Sequence, residues 1–182
     1  MSVVAAYAIP AIVGWMAVGL LLNSCDLRRP ALFLIVIYCL YYGLTEATGI
    51  HGLRPPGRNW QVPQTFVVGT SRRRRTLVWG AILGPGFFTR NPYAGFGLLP
   101  LGVAALDSVP AGVLAAAAIG FAHGTGRALG LLRDARDARD ARGTDPSGYL
   151  KSVLRSMYWR KFDGVALLAL GVMAVFAFAR PW

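Results

Sequence analysis

The chain alternates long apolar runs with basic, polar connections. Residues 3–23 are almost wholly apolar, and residues 30–49 form a second run with an aromatic cluster at Tyr38, Tyr41 and Tyr42. A helix needs about 20 apolar residues to cross ~30 Å of hydrocarbon, so each run predicts a transmembrane span. Residues 109–132 and 164–179 predict two more. The stretch 76–106 differs. As one straight helix it would measure about 46 Å, longer than the hydrocarbon core. It also carries Pro85, Pro92 and Pro100, with Gly84 and Gly86 flanking the first. The pattern predicts one broken span, with half-helices near 76–83 and 94–106 around an irregular middle. Two separate short spans and a re-entrant hairpin are the competing readings.

The connections carry their own patterns. Residues 133–142 repeat the triplet Arg-Asp-Ala, from Arg133 to Arg142. Arg and Ala favour helix, so this segment predicts a solvated extension of the fourth span, ending near Gly143. In residues 149–162, Leu150, Val153, Leu154, Met157 and Tyr158 share one helical face, while Lys151, Arg155 and Arg160 lie off it. Such a basic amphipathic helix is expected on the anionic inner leaflet of the bilayer. The alternative is a docking surface for a cytoplasmic protein at 133–162. The predicted fold is thus an all-α integral membrane bundle, a single transmembrane domain of about five helices. One helix is broken at Gly-Pro-Gly, and a cytoplasmic amphipathic helix precedes the last span.

Composition narrows the class further. The chain is 55% hydrophobic and 15% charged, against about 25% charged in soluble domains. The net charge of +11 therefore reads as topology. Six Lys/Arg lie in 50–75 and eight in 133–163, while Arg28, Arg29 and Arg180 mark the other side. The positive-inside rule then places the N-terminus and both basic loops in the cytoplasm of a multi-pass cell-membrane protein, in a bacterial inner membrane. Nucleic acid is not the expected partner, because the cations sit at the ends of apolar runs. Residues 1–23 lack the charged start of a signal peptide and read as a retained first span.

Ionisable groups within spans are functional candidates by default. Glu46 lies in the last turn of the second span, Arg90 in the break, and His123 in the fourth span one turn before Arg127. Glu46 and Arg90 are a candidate ion pair. Gly84, Gly86, Thr89, Arg90 and Asn91 form the candidate substrate-binding backbone, since transporter sites are often built at discontinuous helices. Glu46, His123 and Arg90 are the candidates for catalysis. Two histidines, together with Cys25 and Cys39, make neither a metal site nor a redox pair, and no cofactor is expected. Three functions fit this pattern: a transporter-like or carrier-like protein, a membrane-embedded enzyme acting on a lipid or peptide, and an accessory subunit of a larger complex.

Residues 58–105 carry Gln61-Val62 after an Arg-rich turn, a run of arginines, the helix Trp79-Gly80-Ala81-Ile82-Leu83-Gly84-Pro85-Gly86, and then Thr89. This quarter of the chain resembles small actinobacterial membrane proteins related to the CcdA/DsbD transmembrane family of cytochrome c biogenesis. The resemblance implies a fold with broken helices. In that family the breaks carry Pro-Cys pairs that relay reducing equivalents. No Pro-Cys pair occurs here, so the resemblance extends to the broken helix and not to the thiol relay.

Overall fold

The computed structural model describes residues 2–50, 68–87, 94–140 and 146–178, with side chains described except at 134, 137–140, 146–156 and 177–178. The described residues form six helices: α1 (Val3–Ser24), α2 (Arg28–Thr48), α3 (Arg72–Leu83), α4 (Gly95–Ala104), α5 (Val109–Asp140) and α6 (Pro146–Phe178). The fold among them is all-α, the expected class. Among the described residues three stretches are long and apolar enough to cross a membrane: Val3–Ser24, Arg28–Thr48 and Val109–Arg133.

Local chemistry explains where the helices start and stop. Ser2 caps α1, its hydroxyl accepting the Ala5 N–H at 3.2 Å. Ser71 does the same for α3 through Arg74 N–H at 3.3 Å, and Ser108 for α5 through Ala111 N–H at 3.4 Å. These short side chains satisfy amides that have no partner in a helix's first turn. Gly49 ends α2 in the left-handed region at φ 74° and returns its N–H to the Thr45 carbonyl at 3.0 Å. Glycine takes this cap because it has no Cβ to clash there.

The chain divides into two compact units. One holds Met1–Cys25, Gly57–Asn91 and Leu106–Arg142; the other holds Asp26–Pro56, Pro92–Ala105 and Gly143–Trp182. The first unit therefore packs α1 with α3 and α5, and the second packs α2 with α4 and α6. The halves expected around the break at 76–106 exist as helices, but α3 belongs to the first unit and α4 to the second. Hydropathy marks the two halves and carries no information about which neighbour each one seeks.

In the first unit α5 lays a stripe of small residues, Gly112, Ala116, Gly120, Gly124 and Ala128, along α1. Gly112 meets Asn23, Gly120 meets Ala11 and Ile12, and Gly124 meets Tyr7 and Ala8. The pairing is antiparallel, so the C-terminal end of α5 lies beside the N-terminal end of α1. Along α3, Gly80 meets Ala6, Gly84 meets Tyr7, and Pro85 and Phe87 reach Gly14. Thus α3 runs parallel to α1, and its arginine-rich start shares the end where α1 begins and α5 finishes.

In the second unit α2 and α6 are also antiparallel. Gly171 packs on Cys39, Gly43 on Gly164 and Leu168, and Gly164 on Glu46 and Ala47. The apolar core of this unit joins Leu32, Ile35, Cys39, Ala94, Leu167 and Ala174. In both units small residues line the closest helix contacts, while many large apolar residues face outward. Val13 is 61% exposed, Leu114 73% and Phe176 68%. Apolar surface on this scale needs an apolar medium around it, and small residues at the seams are how membrane helices approach closely.

One connection follows expectation and one differs from it. The triplet repeat continues α5 as far as Asp140, with Arg133 and Arg136 exposed. The amphipathic segment and the last span, expected as separate elements, form the single helix α6 of 33 residues. The sequence from Tyr149 to Phe162 contains no proline or glycine, so nothing in its backbone chemistry interrupts the helix.

Candidate functional site

The second unit gathers its polar groups where α2, α4 and α6 meet. Glu46 sits in the last turn of α2 with its side chain only 8% exposed. Arg160 reaches it from α6 as a fork: Nε donates to Oε2 at 2.9 Å, and Nη2 donates to Oε1 at 3.2 Å. A bidentate guanidinium–carboxylate pair is among the strongest charge-assisted contacts. Gly164, one turn further along α6, lets that helix close onto the α2 backbone at Glu46 and Ala47.

Three residues after Arg160, Asp163 accepts the Gly95 N–H at 3.0 Å. That amide opens α4, where a carboxylate complements the positive end of the helix dipole. On the preceding residue, the Ala94 carbonyl accepts the Tyr38 hydroxyl at 2.7 Å. The first turn of α4 is therefore held from both sides, its amide by α6 and its carbonyl by α2. Tyr38 is fixed in turn against the Tyr42 ring, 4.4 Å between centroids. Two carboxylates and one guanidinium leave this cluster with one excess negative charge among the described residues.

The first unit holds the break. After α3, Gly84, Pro85 and Gly86 are all buried, and Gly86 adopts φ 80°. Gly84 packs against the Tyr7 carbonyl, where a Cβ would not fit. The indole of Trp15, fully buried, donates to the Pro85 carbonyl at 3.1 Å, and its ring lies 4.9 Å from that of Phe87. The irregular backbone is thus enclosed by protein and its carbonyl is satisfied, the condition under which such backbone is tolerated at membrane depth. Trp15→Phe keeps most of the ring and removes the N–H. The stranded carbonyl should cost about 2 kcal/mol, measured by detergent unfolding followed by circular dichroism. Unchanged stability would show that this bond does not hold the break.

The sequence-derived candidates separate accordingly. Gly84, Gly86 and His123 lie in the first unit and Glu46 in the second, and each is described within its own unit. Thr89, Arg90 and Asn91 lie outside the described residues, so the expected Glu46–Arg90 pair lies there too; the cation seated on Glu46 is Arg160. His123 is half-buried on α5, within electrostatic reach of Arg127, which in turn faces Tyr7. Cys39 is buried at the α2–α6 seam and Cys25 is exposed at the end of α1, both as free thiols. No group of three or more His, Cys, Asp or Glu able to hold a metal occurs among the described residues.

Comparison with known families, curated proteins and solved structures finds no match. The site therefore rests on its own geometry. Sequence reasoning missed Arg160, Asp163, Tyr38 and Trp15. A signal existed for the first two: Asp163 is the last acid of the chain and stands directly before the final apolar run, one helical turn after Arg160. No comparable signal marked Tyr38 or Trp15, because an aromatic residue in a span reads equally well as packing.

Proposed function

We propose that this is a polytopic, carrier-like membrane protein that moves a small solute, alone or within a larger membrane system. The observation that carries the reading is the buried Glu46 paired with the partly exposed Arg160, with Asp163 beside it, in helices whose other faces are apolar. Charge at membrane depth is costly, and where it is kept it commonly marks ion, proton or substrate pathways. One excess carboxylate gives the cluster a place for a proton or a cation during transport. The segment 84–92, with Gly84, Gly86, Thr89, Arg90 and Asn91, supplies the irregular backbone on which carrier sites are often built.

The orientation follows from charge: N-terminus and both basic loops cytoplasmic, five crossings in a bacterial inner membrane, with 133–162 available to a protein partner. The similarity to the CcdA/DsbD family belongs to this reading as a broken-helix carrier without the cysteine chemistry. The enzyme reading is weaker at Glu46, because both carboxylate oxygens are engaged by Arg160 and a general base needs a free lone pair aimed at its proton.

Proteoliposomes loaded with a pH-sensitive dye and challenged with amino acids, sugars, organic anions and divalent cations test the proposal. Wild-type protein should give a solute-dependent signal with one of these classes, reduced at least about tenfold in Glu46→Gln, since a carboxylate on an ion pathway is essential to it. Folded protein that moves none of them, and that purifies with a stoichiometric partner, would favour the accessory-subunit reading instead.

A further inference from the structure

The cations of the first unit are not spread evenly. Arg72, Arg73, Arg74 and Arg75 occupy the whole first turn of α3, all four are exposed, and that turn contains no acidic residue. None of the four makes an ion pair among the described residues. Between Glu46 and Asp107 the sequence has seven arginines and no acid at all. The first turn is the wrong end of a helix for positive charge, because the dipole is already positive there. Arg72 and Arg75, three apart, also repel one another across the turn. The arrangement thus combines cations that form no ion pair among the described residues with a helix start whose amides Ser71 caps only at Arg74.

Two further facts give this charge a depth. The apolar part of α3 begins immediately after Arg75, with Leu77 47% exposed, so the arginine turn stands at the boundary of the apolar layer. The start of α1 and the end of α5 lie at the same end of the unit, as the antiparallel and parallel pairings described above require. At that end the α5 tail alternates its arginines with Asp134, Asp137 and Asp140, so its charge is largely balanced within the repeat. The unbalanced charge is that of α3.

We propose that the first turn of α3 is a binding site for the phosphate headgroup of an anionic phospholipid. A guanidinium can meet phosphate oxygens in bidentate geometry, and the first N–H groups of the helix, of which Ser71 takes only that of Arg74, add donors of the same polarity. The ligand relieves both repulsions at once, which gives this site a preference over the charge-balanced α5 tail.

Native mass spectrometry of the whole protein in neutral detergent, with equimolar phosphatidylglycerol and phosphatidylcholine, reads the preference directly. Phosphatidylglycerol adducts should dominate and weaken as salt rises. Each arginine near an anionic headgroup is worth about fivefold in affinity. Arg73→Gln with Arg74→Gln should therefore reduce the preference by about 25-fold, while Arg73→Lys with Arg74→Lys, which keeps the charge but loses the bidentate fork, should lose distinctly less. Arg136→Gln with Arg139→Gln removes the same charge from the α5 tail and should leave the preference intact. Should the first pair not fold, Arg75→Gln alone reads the effect at about fivefold. The proposal is overturned if the tail variant loses as much as the α3 variant, which would mean a diffuse charge effect. It is equally overturned if the two lipids bind alike while an acidic peptide or an oligonucleotide occupies the arginines.

Discussion

Arg160→Ala should destabilise the second unit by about 2 kcal/mol, and Glu46→Gln by distinctly less. Removing one partner of a fully buried ion pair costs about 3–5 kcal/mol. Here the cost is reduced because Arg160 keeps 40% of its side chain exposed and solvent screens part of the attraction. The asymmetry between the variants is the informative part. Without Arg160, Glu46 keeps a buried charge with no cation, next to a second carboxylate on Asp163, and two neighbouring carboxylates disfavour each other's ionised form. Without the Glu46 charge, the half-exposed guanidinium turns to water at little cost. The double variant Glu46→Gln, Arg160→Ala should be less destabilised than the sum of its parts, with a coupling of about 1 kcal/mol or more. Equilibrium unfolding in mixed micelles, followed by circular dichroism, gives all three values. Equal losses in the single variants and a coupling near zero would reduce the pair to a surface contact and remove the main support for a charged site at membrane depth.

That pair also shows how far the residues alone could be read. Glu46 stood out because it is an acid inside an apolar run, and the structure buries it. Its partner was hidden for a physical reason. Arg160 lies in a segment with Lys151, Arg155 and Lys161, where a basic residue is equally consistent with a solvated face, and only the antiparallel seam of α2 and α6 turns it inward. The helix ends have a local cause, although the expected start near 76 fell inside α3, which begins at Arg72. Ser2, Ser71, Ser108 and Gly49 do what their chemistry requires, since capping depends on a few neighbouring atoms. The division into two units was not legible. In a membrane every face of a span is apolar, so hydropathy marks which segments are helices and says nothing about which pairs pack. The break at Gly84-Pro85-Gly86 was visible as a break. That Trp15 closes it, seventy residues away in sequence, could not be seen without the fold.

The clearest case is α5, which carries two small-residue spacings of the same form, Gly120 with Gly124 and Gly126 with Gly130. By sequence they are equivalent, and the fold makes them opposites. A Cβ on Gly124 would meet Ala8 Cα and the Tyr7 carbonyl oxygen at 2.7 Å, and one on Gly120 would meet the Ala11 carbonyl oxygen at 2.6 Å. These are backbone atoms, which cannot rotate aside. A Cβ on Gly126 or Gly130 would meet nothing within 4 Å. Gly120→Ala and Gly124→Ala should therefore each lose about 1–2 kcal/mol, the overpacking cost of about 1–3 less the gain of up to about 1 from replacing glycine within a helix. Gly126→Ala keeps that gain with no clash, so its change should have the opposite sign. The same micellar unfolding measurement separates them. If Gly126→Ala proved as damaging as Gly124→Ala, the seam would lie on the other face of α5. The antiparallel match of α1 to α5, which brings the start of one helix beside the basic end of the other, would then fall with it.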